Sequence, residues 1–517
     1  TVREEIEIIH FGIAQMWKNG KHKAGTFNRT LERFAGEAYT PEQRFKFNPR
    51  LKVGSWGPDK DGHDGKKAEH VLMEEIMMNQ MIISMVLDDI AAARKDGATF
   101  DHPDAQTMFR RLEQARDQLT VMDTFIQSRT NPENGDILLS QSEFDDLSHR
   151  RRMALTLPGE VAEFSLTRGE EQLGNILEQA FFNNKGKAQE RIYNIVNNIR
   201  DMGLGATMEL RETSDVYSDV ITFLLSRPHP VTGEILDYPA YDEHAQDAAE
   251  QLQRRSAYLG KLLHDKPDEM AERIEAFLGP ITKTDALRVY DDAHPEVIAY
   301  HTLKRVQEGL RNQTMINKSI MAEFKGSSNM MELFALQKGL ARGVGAQPLI
   351  DMVGLFEEYD TLTMIPDRMM DCLHQSEYRK QLLQLAGGDP SKITIEIMIA
   401  HSDNTKRAGN PASRAAIHKA HEDWLRDNWE VIQNLFEQDG VDKEKLKISI
   451  NFYEGKSSHH VTRFGTRSHT AMVDAFDGHR FTKQTLQGPD AFLLLWMEGP
   501  YKRYMATHYR NAYRAIA

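Results

Sequence analysis

From residue 319 onward the chain alternates short apolar runs with amphipathic helical stretches. This alternation limits the possible folds more than any other feature of the sequence. Residues 319–324, 349–356, 393–399 and 446–452 read as strands, and helical patterns separate them. A strand–helix–strand order favours parallel strands joined by helical crossovers. Residues 52–56, 206–210 and 490–496 read as strands too. A closed barrel of this kind has eight strands, so this reading is one short. The expected class is α/β: a TIM-type (β/α)8 barrel, incomplete in this reading, with many additional α-helices.

The helices show as apolar residues at three- and four-residue spacing over 68–95, 105–127, 170–201, 243–277 and 297–312. The greasiest stretch, 76–87, is interrupted by Asn79 and Gln80. It is well short of the ~20 residues a membrane span needs and reads as a buried helix. The 24 methionines suit gap-filling in helical cores. Residues 57–67 form a dense Gly/Asp/Lys turn, while 128–140 and 226–242 are rich in turn formers and read as loops or lids. The expected organisation is one barrel unit over 1–517. Residues 1–205 form a largely helical N-terminal half, and 206–517 carry barrel strands and active-site loops.

Charge and cysteine usage narrow the function. With 64 basic and 77 acidic residues the net charge is −13, so nucleic acid and membrane surfaces are not expected partners. The single cysteine, Cys372, excludes an internal disulfide framework and any multi-cysteine metal site. It suits a reducing, cytoplasmic setting. Thr1-Val2-Arg3-Glu4-Glu5 is charged and lacks the apolar core of a signal peptide. The sequence has no Gly-x-Ser-x-Gly, no Walker A motif and no strand-anchored Gly-x-Gly-x-x-Gly.

In a barrel, chemistry sits where strands end in polar residues. Arg211, Glu357, Asp403 and Lys406 all follow or end apolar runs and are expected at one mouth. Glu357 and Asp403 are hard oxygen ligands suited to Mg2+ or Mn2+, or else caps of the following helices. Lys406 and Arg211 are cations for phosphate or carboxylate oxygens, or a solvated lysine and an arginine paired with nearby acids. Lys456, Ser457, Ser458, His459, His460, Arg463, Arg467 and His469 resemble an anion-binding loop. Adjacent histidines point apart on extended chain, which disfavours a two-histidine metal site. His401 and Asp403, two apart, leave a zinc or iron alternative open.

Five ordered blocks resemble phosphoenolpyruvate carboxylase. They are Gly54-Ser55-Trp56-Gly57-Pro58-Asp59-Lys60-Asp61-Gly62, Met208-Glu209-Leu210-Arg211-Glu212-Thr213-Ser214, Leu355-Phe356-Glu357, residues 399–409 (Ile-Ala-His-Ser-Asp-Asn-Thr-Lys-Arg-Ala-Gly), and the segment from Phe452 to His469. The resemblance implies a (β/α)8 barrel overgrown with helices, a homo-oligomer, and carboxylation of phosphoenolpyruvate by bicarbonate with Mg2+ or Mn2+. By the matching positions it implies metal ligands at Glu357 and Asp403. It implies active-site cations at Arg211, Lys406 and Arg463, with substrate contacts from Trp56, Lys60 and Lys456.

The departures are as informative. The family's Thr-Ala-His-Pro-Thr strand, whose histidine serves the carboxyphosphate step, has no counterpart, and neither has the long C-terminal helical region. The His-Gly-Arg-Gly-Gly loop is replaced by Glu454-Gly455-Lys456-Ser457-Ser458. His459, His460 or Glu454 is then the candidate for replacement acid–base chemistry. Three readings follow: a compact carboxylase on a small phosphorylated or carboxylate substrate, a repurposed lyase with another acceptor, or an inactive interaction subunit.

Overall fold

The computed structural model describes residues 3, 6, 7, 10, 14, 17, 52–55, 67–133, 135–154, 165–202, 204, 207–242, 244–281, 293–313, 315–346, 349–357, 359–400, 424–456 and 481–486. Its elements run in the order β1 (Lys52–Ser55), α1 (Ala68–Lys95), α2 (Ala105–Ser128), α3 (Gln141–Ala154), α4 (Ser165–Asn183), α5 (Gly186–Met202), β2 (Thr207–Thr213), α6 (Ser214–Ser226), α7 (Ala248–Asp265), α8 (Glu269–Ile281) and α9 (Pro295–Arg311). They continue with β3 (Ile316–Ala322), α10 (Ser327–Val344), β4 (Asp351–Phe356), α11 (Tyr359–Thr363), α12 (Ile365–His374), α13 (Ser376–Leu385), β5 (Ile393–Ala400), α14 (Trp424–Asp427), α15 (Trp429–Gln438), β6 (Ile448–Lys456) and β7 (Phe481–Leu486).

Among the described residues the seven strands are all parallel and close on themselves in chain order, β7 pairing back onto β1. Six of the strands coincide with runs legible in the sequence. The seventh is Phe481–Leu486, which alternation alone does not mark, whereas 490–496 lies outside the described residues. Two helical stretches that read as continuous are each broken. Residues 170–201 divide between α4 and α5 at Asn184-Lys185, and 243–277 divides between α7 and α8 at Lys266-Pro267. Asn184 marks its break by donating Nδ2 to the Ala180 and Thr99 carbonyls.

The greasy 76–87 stretch lies inside α1. Ile76, Met78, Ile82, Ile83 and Val86 there are fully buried against neighbouring protein, which is the place such a helix takes in a core. Local chemistry sets several helix ends. His294 caps α9 by accepting from the Glu296 amide, ahead of Pro295 at the first helical position. Gly345 ends α10 in the left-handed conformation, φ 68°. Loop 129–140 is pinned by a two-residue bridge, Thr130 to Ile137. Loop 227–247 is held down by Tyr238, which donates to Glu332 at 2.8 Å, and by Arg273, which donates to the Glu234 carbonyl at 2.9 Å.

Strand alternation separates inside from outside. On β2, Leu210 packs outward beside Gly309 of α9, and Glu212 pairs outward with Arg305 of α9. Glu209, Arg211 and Thr213 therefore face the barrel interior. Ile320, Ala322, Val353, Leu355 and Met398 form a separate buried cluster from β3, β4 and β5, which fills that interior. Toward the N-terminal ends of the strands the interior is charged. Lys318 Nζ lies 3.2 Å from Asp351 and also pairs with Glu396. Burial opposes the charge on Lys318, yet Asp351, Glu396 and Glu209 outweigh it and hold the ammonium above the ordinary lysine range.

A candidate active site at the strand C-termini

Arg211 sits one step below the end of β2, almost completely buried. Its side chain reaches across the barrel, with Nη2 3.6 Å from Met398 Sδ on β5. The sheet register places Arg211 beside Ile320 and Thr213 beside Ala322, so an apolar layer lies directly at its level. Glu357 is the first residue after β4 and is partly exposed. Arg211 and Glu357 thus lie toward the same end of the barrel. Lys456 is the last residue of β6, in register with Leu486 of β7. Trp56, Lys60, Asp403, Lys406, His459, His460 and Arg463 lie outside the described residues. Asp403 and Lys406 follow the C-terminal end of β5, which closes at Ala400.

The sequence gives little sign of what surrounds these groups. Glu323, at the turn after β3, is exposed and has φ 52°, the only non-glycine with positive φ among the described residues. The reason lies next door. Phe324 must leave the barrel wall to pack over Gly354, where a Cβ would sit 2.6 Å from its ring, and to meet the Phe356 ring at 5.4 Å. Ser214 Oγ donates to the Glu323 carbonyl at 2.9 Å and fixes the turn. The cost of a left-handed non-glycine is of order 1 kcal/mol. Glu323 consequently stands just past the end of β3, the strand between β2 and β4.

A divalent ion asks for hard oxygen donors with positions left for water and substrate. The carboxylate of Glu357, just past a strand end and partly exposed, is a donor of that kind. Among the described residues no group of three or more His, Cys, Asp or Glu is placed to hold a metal ion, and Asp403 lies outside them.

A closed ring of parallel strands wrapped in helices, with an arginine and a carboxylate toward its C-terminal end, defines a β/α-barrel protein. The family model of phosphoenolpyruvate carboxylase matches residues 9–436, and the chain belongs to that family. No curated protein matches the chain.

Proposed function

We propose that the protein is a metal-dependent carbon–carbon lyase that forms an enolate from phosphoenolpyruvate or a similar small acid and carboxylates it. The observation that carries this reading is the placement of Arg211, inward on β2, and of Glu357, directly after β4, at the same end of the barrel. Family membership supports it. Glu357, with Asp403, would hold Mg2+ or Mn2+. When bound, the cation supplies Lewis-acid stabilisation of negative charge on a substrate oxygen. Arg211, Lys406 and Arg463 bind the phosphate or carboxylate groups and neutralise charge as it develops. The apolar layer of Ile320, Val353 and Met398 excludes water beneath Arg211 and strengthens its field. The reading carries a cytoplasmic setting and a homo-oligomer with it.

A second reading keeps the metal and the enolate but changes the acceptor. It is favoured by Glu454-Gly455-Lys456-Ser457-Ser458 standing where the family has His-Gly-Arg-Gly-Gly.

The test has two parts. Calorimetric Mn2+ titration of wild type and Glu357→Gln is expected to show tenfold or greater weakening in the variant; no binding in wild type overturns the metal site. Incubation with Mg2+, phosphoenolpyruvate and labelled bicarbonate is expected to place label in a four-carbon acid. Phosphate release without label selects the second reading, and no turnover of phosphoenolpyruvate points to another substrate.

A further inference from the structure

We propose that Arg305, on the outside of the barrel wall, is a positioning residue that fixes Arg211 in the mouth. The proposal rests on the reading above of Arg211 as the anion-binding cation. Arg305 belongs to α9, the helix that packs against β2 and β3. Its Nη1 donates to Glu212 Oε2 at 2.8 Å and its Nη2 donates to the Arg211 carbonyl at 2.9 Å. Arg211, Glu212 and Arg305 are all at most 5% exposed. One guanidinium therefore grips two consecutive residues of β2, one by its outward side chain and one by its backbone. The inward side chain of the second is Arg211.

The position of this grip matters because β2 is irregular just below it. The β2–β3 ladder shifts register between Met208 and Glu209, and the strand above that shift carries Arg211. A register irregularity of this kind bends a strand and raises its local twist, and Arg305 grips β2 just above it. Behind the grip, Tyr217 Oη lies 3.3 Å from Ser319 Oγ on β3, and burial together with the Glu212 charge pushes the Tyr217 phenol above its usual range. Arg211, Glu212, Tyr217, Arg305 and Ser319 are all buried at this point of the wall.

A buried arginine–carboxylate pair gives little net stability over apolar packing, since desolvation offsets the attraction. Its worth lies in direction. Supporting hydrogen bonds of this kind orient the groups that meet a ligand. Lysine at 305 would keep the charge opposite Glu212, but a single ammonium cannot reproduce the planar fork that reaches the Arg211 carbonyl at the same time.

The test compares wild type, Arg305→Lys, Glu212→Gln and Arg211→Gln by hydrogen exchange and by calorimetric binding of phosphoenolpyruvate in the presence of Mn2+. In Arg305→Lys, exchange in the peptide over 207–213 is expected to quicken about tenfold or more, with α7 unchanged, and affinity is expected to fall about tenfold. Glu212→Gln, which keeps the side chain's shape, is expected to give a smaller change in the same direction and covers the case in which the lysine variant fails to fold. Exchange at wild-type rates in 207–213 overturns the proposal. So does faster exchange with wild-type affinity when Arg211→Gln loses binding, because Arg305 would then be a structural pin only. If Arg211→Gln binds as wild type does, or if neither binds, it is the anion-binding reading of Arg211 that fails. The grip on β2 is then judged by exchange alone, and unchanged exchange overturns it.

Discussion

Arg211 and Met398 meet across the barrel, Nη2 to Sδ at 3.6 Å, although β2 and β5 are not neighbours in the sheet. A cation that spans the interior ties the strand of the arginine block to the strand that runs on toward Asp403. The thioether beneath it is a soft, polarisable floor. Met398→Leu is expected to cost under about 1.5 kcal/mol and Met398→Ala about 2–5 kcal/mol. Urea unfolding curves check both, and a cost near zero for Met398→Ala would show that Arg211 is not packed there.

The turn at Glu323 makes two opposite predictions. Gly354→Ala pushes a methyl group into the Phe324 ring and is expected to destabilise by about 1–3 kcal/mol. Glu323→Gly is expected to be about 1 kcal/mol more stable than Glu323→Ala, because only glycine takes φ 52° without strain. Thermal melts of the three variants decide it; equal stability of the two Glu323 variants would remove strain from the account.

Glu75 predicts how stability varies with pH. Burial pushes its carboxyl from 4.5 up to about 8, against the pull of Arg151 and with the neighbouring Glu308 charge adding to the rise. Asn312 Nδ2 donates to both carboxylates, at 3.1 Å and 2.7 Å. Below the unfolded value both states hold the proton, and between the two values only the unfolded chain releases it. Stability is therefore expected to fall as pH rises from about 4.5 to about 8. Glu75→Gln should flatten that fall, with Glu69, pushed up to about 7 chiefly by burial, leaving a smaller slope. Melting temperatures from about pH 5 to about pH 9 test this; an unchanged slope in the variant would count against it.

Lys318 predicts a large effect far from the mouth. Lys318→Met leaves Asp351 and Glu396 inside the barrel without their cation. The expected loss is about 3–5 kcal/mol by chemical denaturation. Lys318→Met with Glu396→Gln should recover part of it, and no recovery would deny the pairing.

Much of this architecture was legible in the residues, for identifiable reasons. Strands β3, β4 and β5 are rich in Ile, Met, Leu and Val, and a parallel barrel buries such runs on both faces. Strand β7, Phe-Thr-Lys-Gln-Thr-Leu, has apolar residues only at its two ends, so its membership in the ring is set by pairing with β6 and β1 rather than by its own pattern. Arg211 and Glu357 stand out as candidates because each follows an apolar run. Arg305 could not, because an arginine on an amphipathic helix ordinarily reads as a solvent-facing charge, and burial against Glu212 is a tertiary event. Glu323 reads as one more residue of a strand. Its turn is forced by the missing side chain at Gly354, on a different strand, which no local pattern encodes.

Because Lys52, Val53 and Gly54 pair with Lys483, Gln484 and Thr485, the ring is sealed by segments from nearly opposite ends of the described chain. Sealing must wait until both have been synthesised and brought together, a slow, non-local step. Until then β1 and β6 stand as open edges with unpaired backbone, the kind of surface that recruits other chains. A nascent or truncated form ending before β7 should accordingly be a client for chaperones, and should aggregate where the sealed barrel stays in solution.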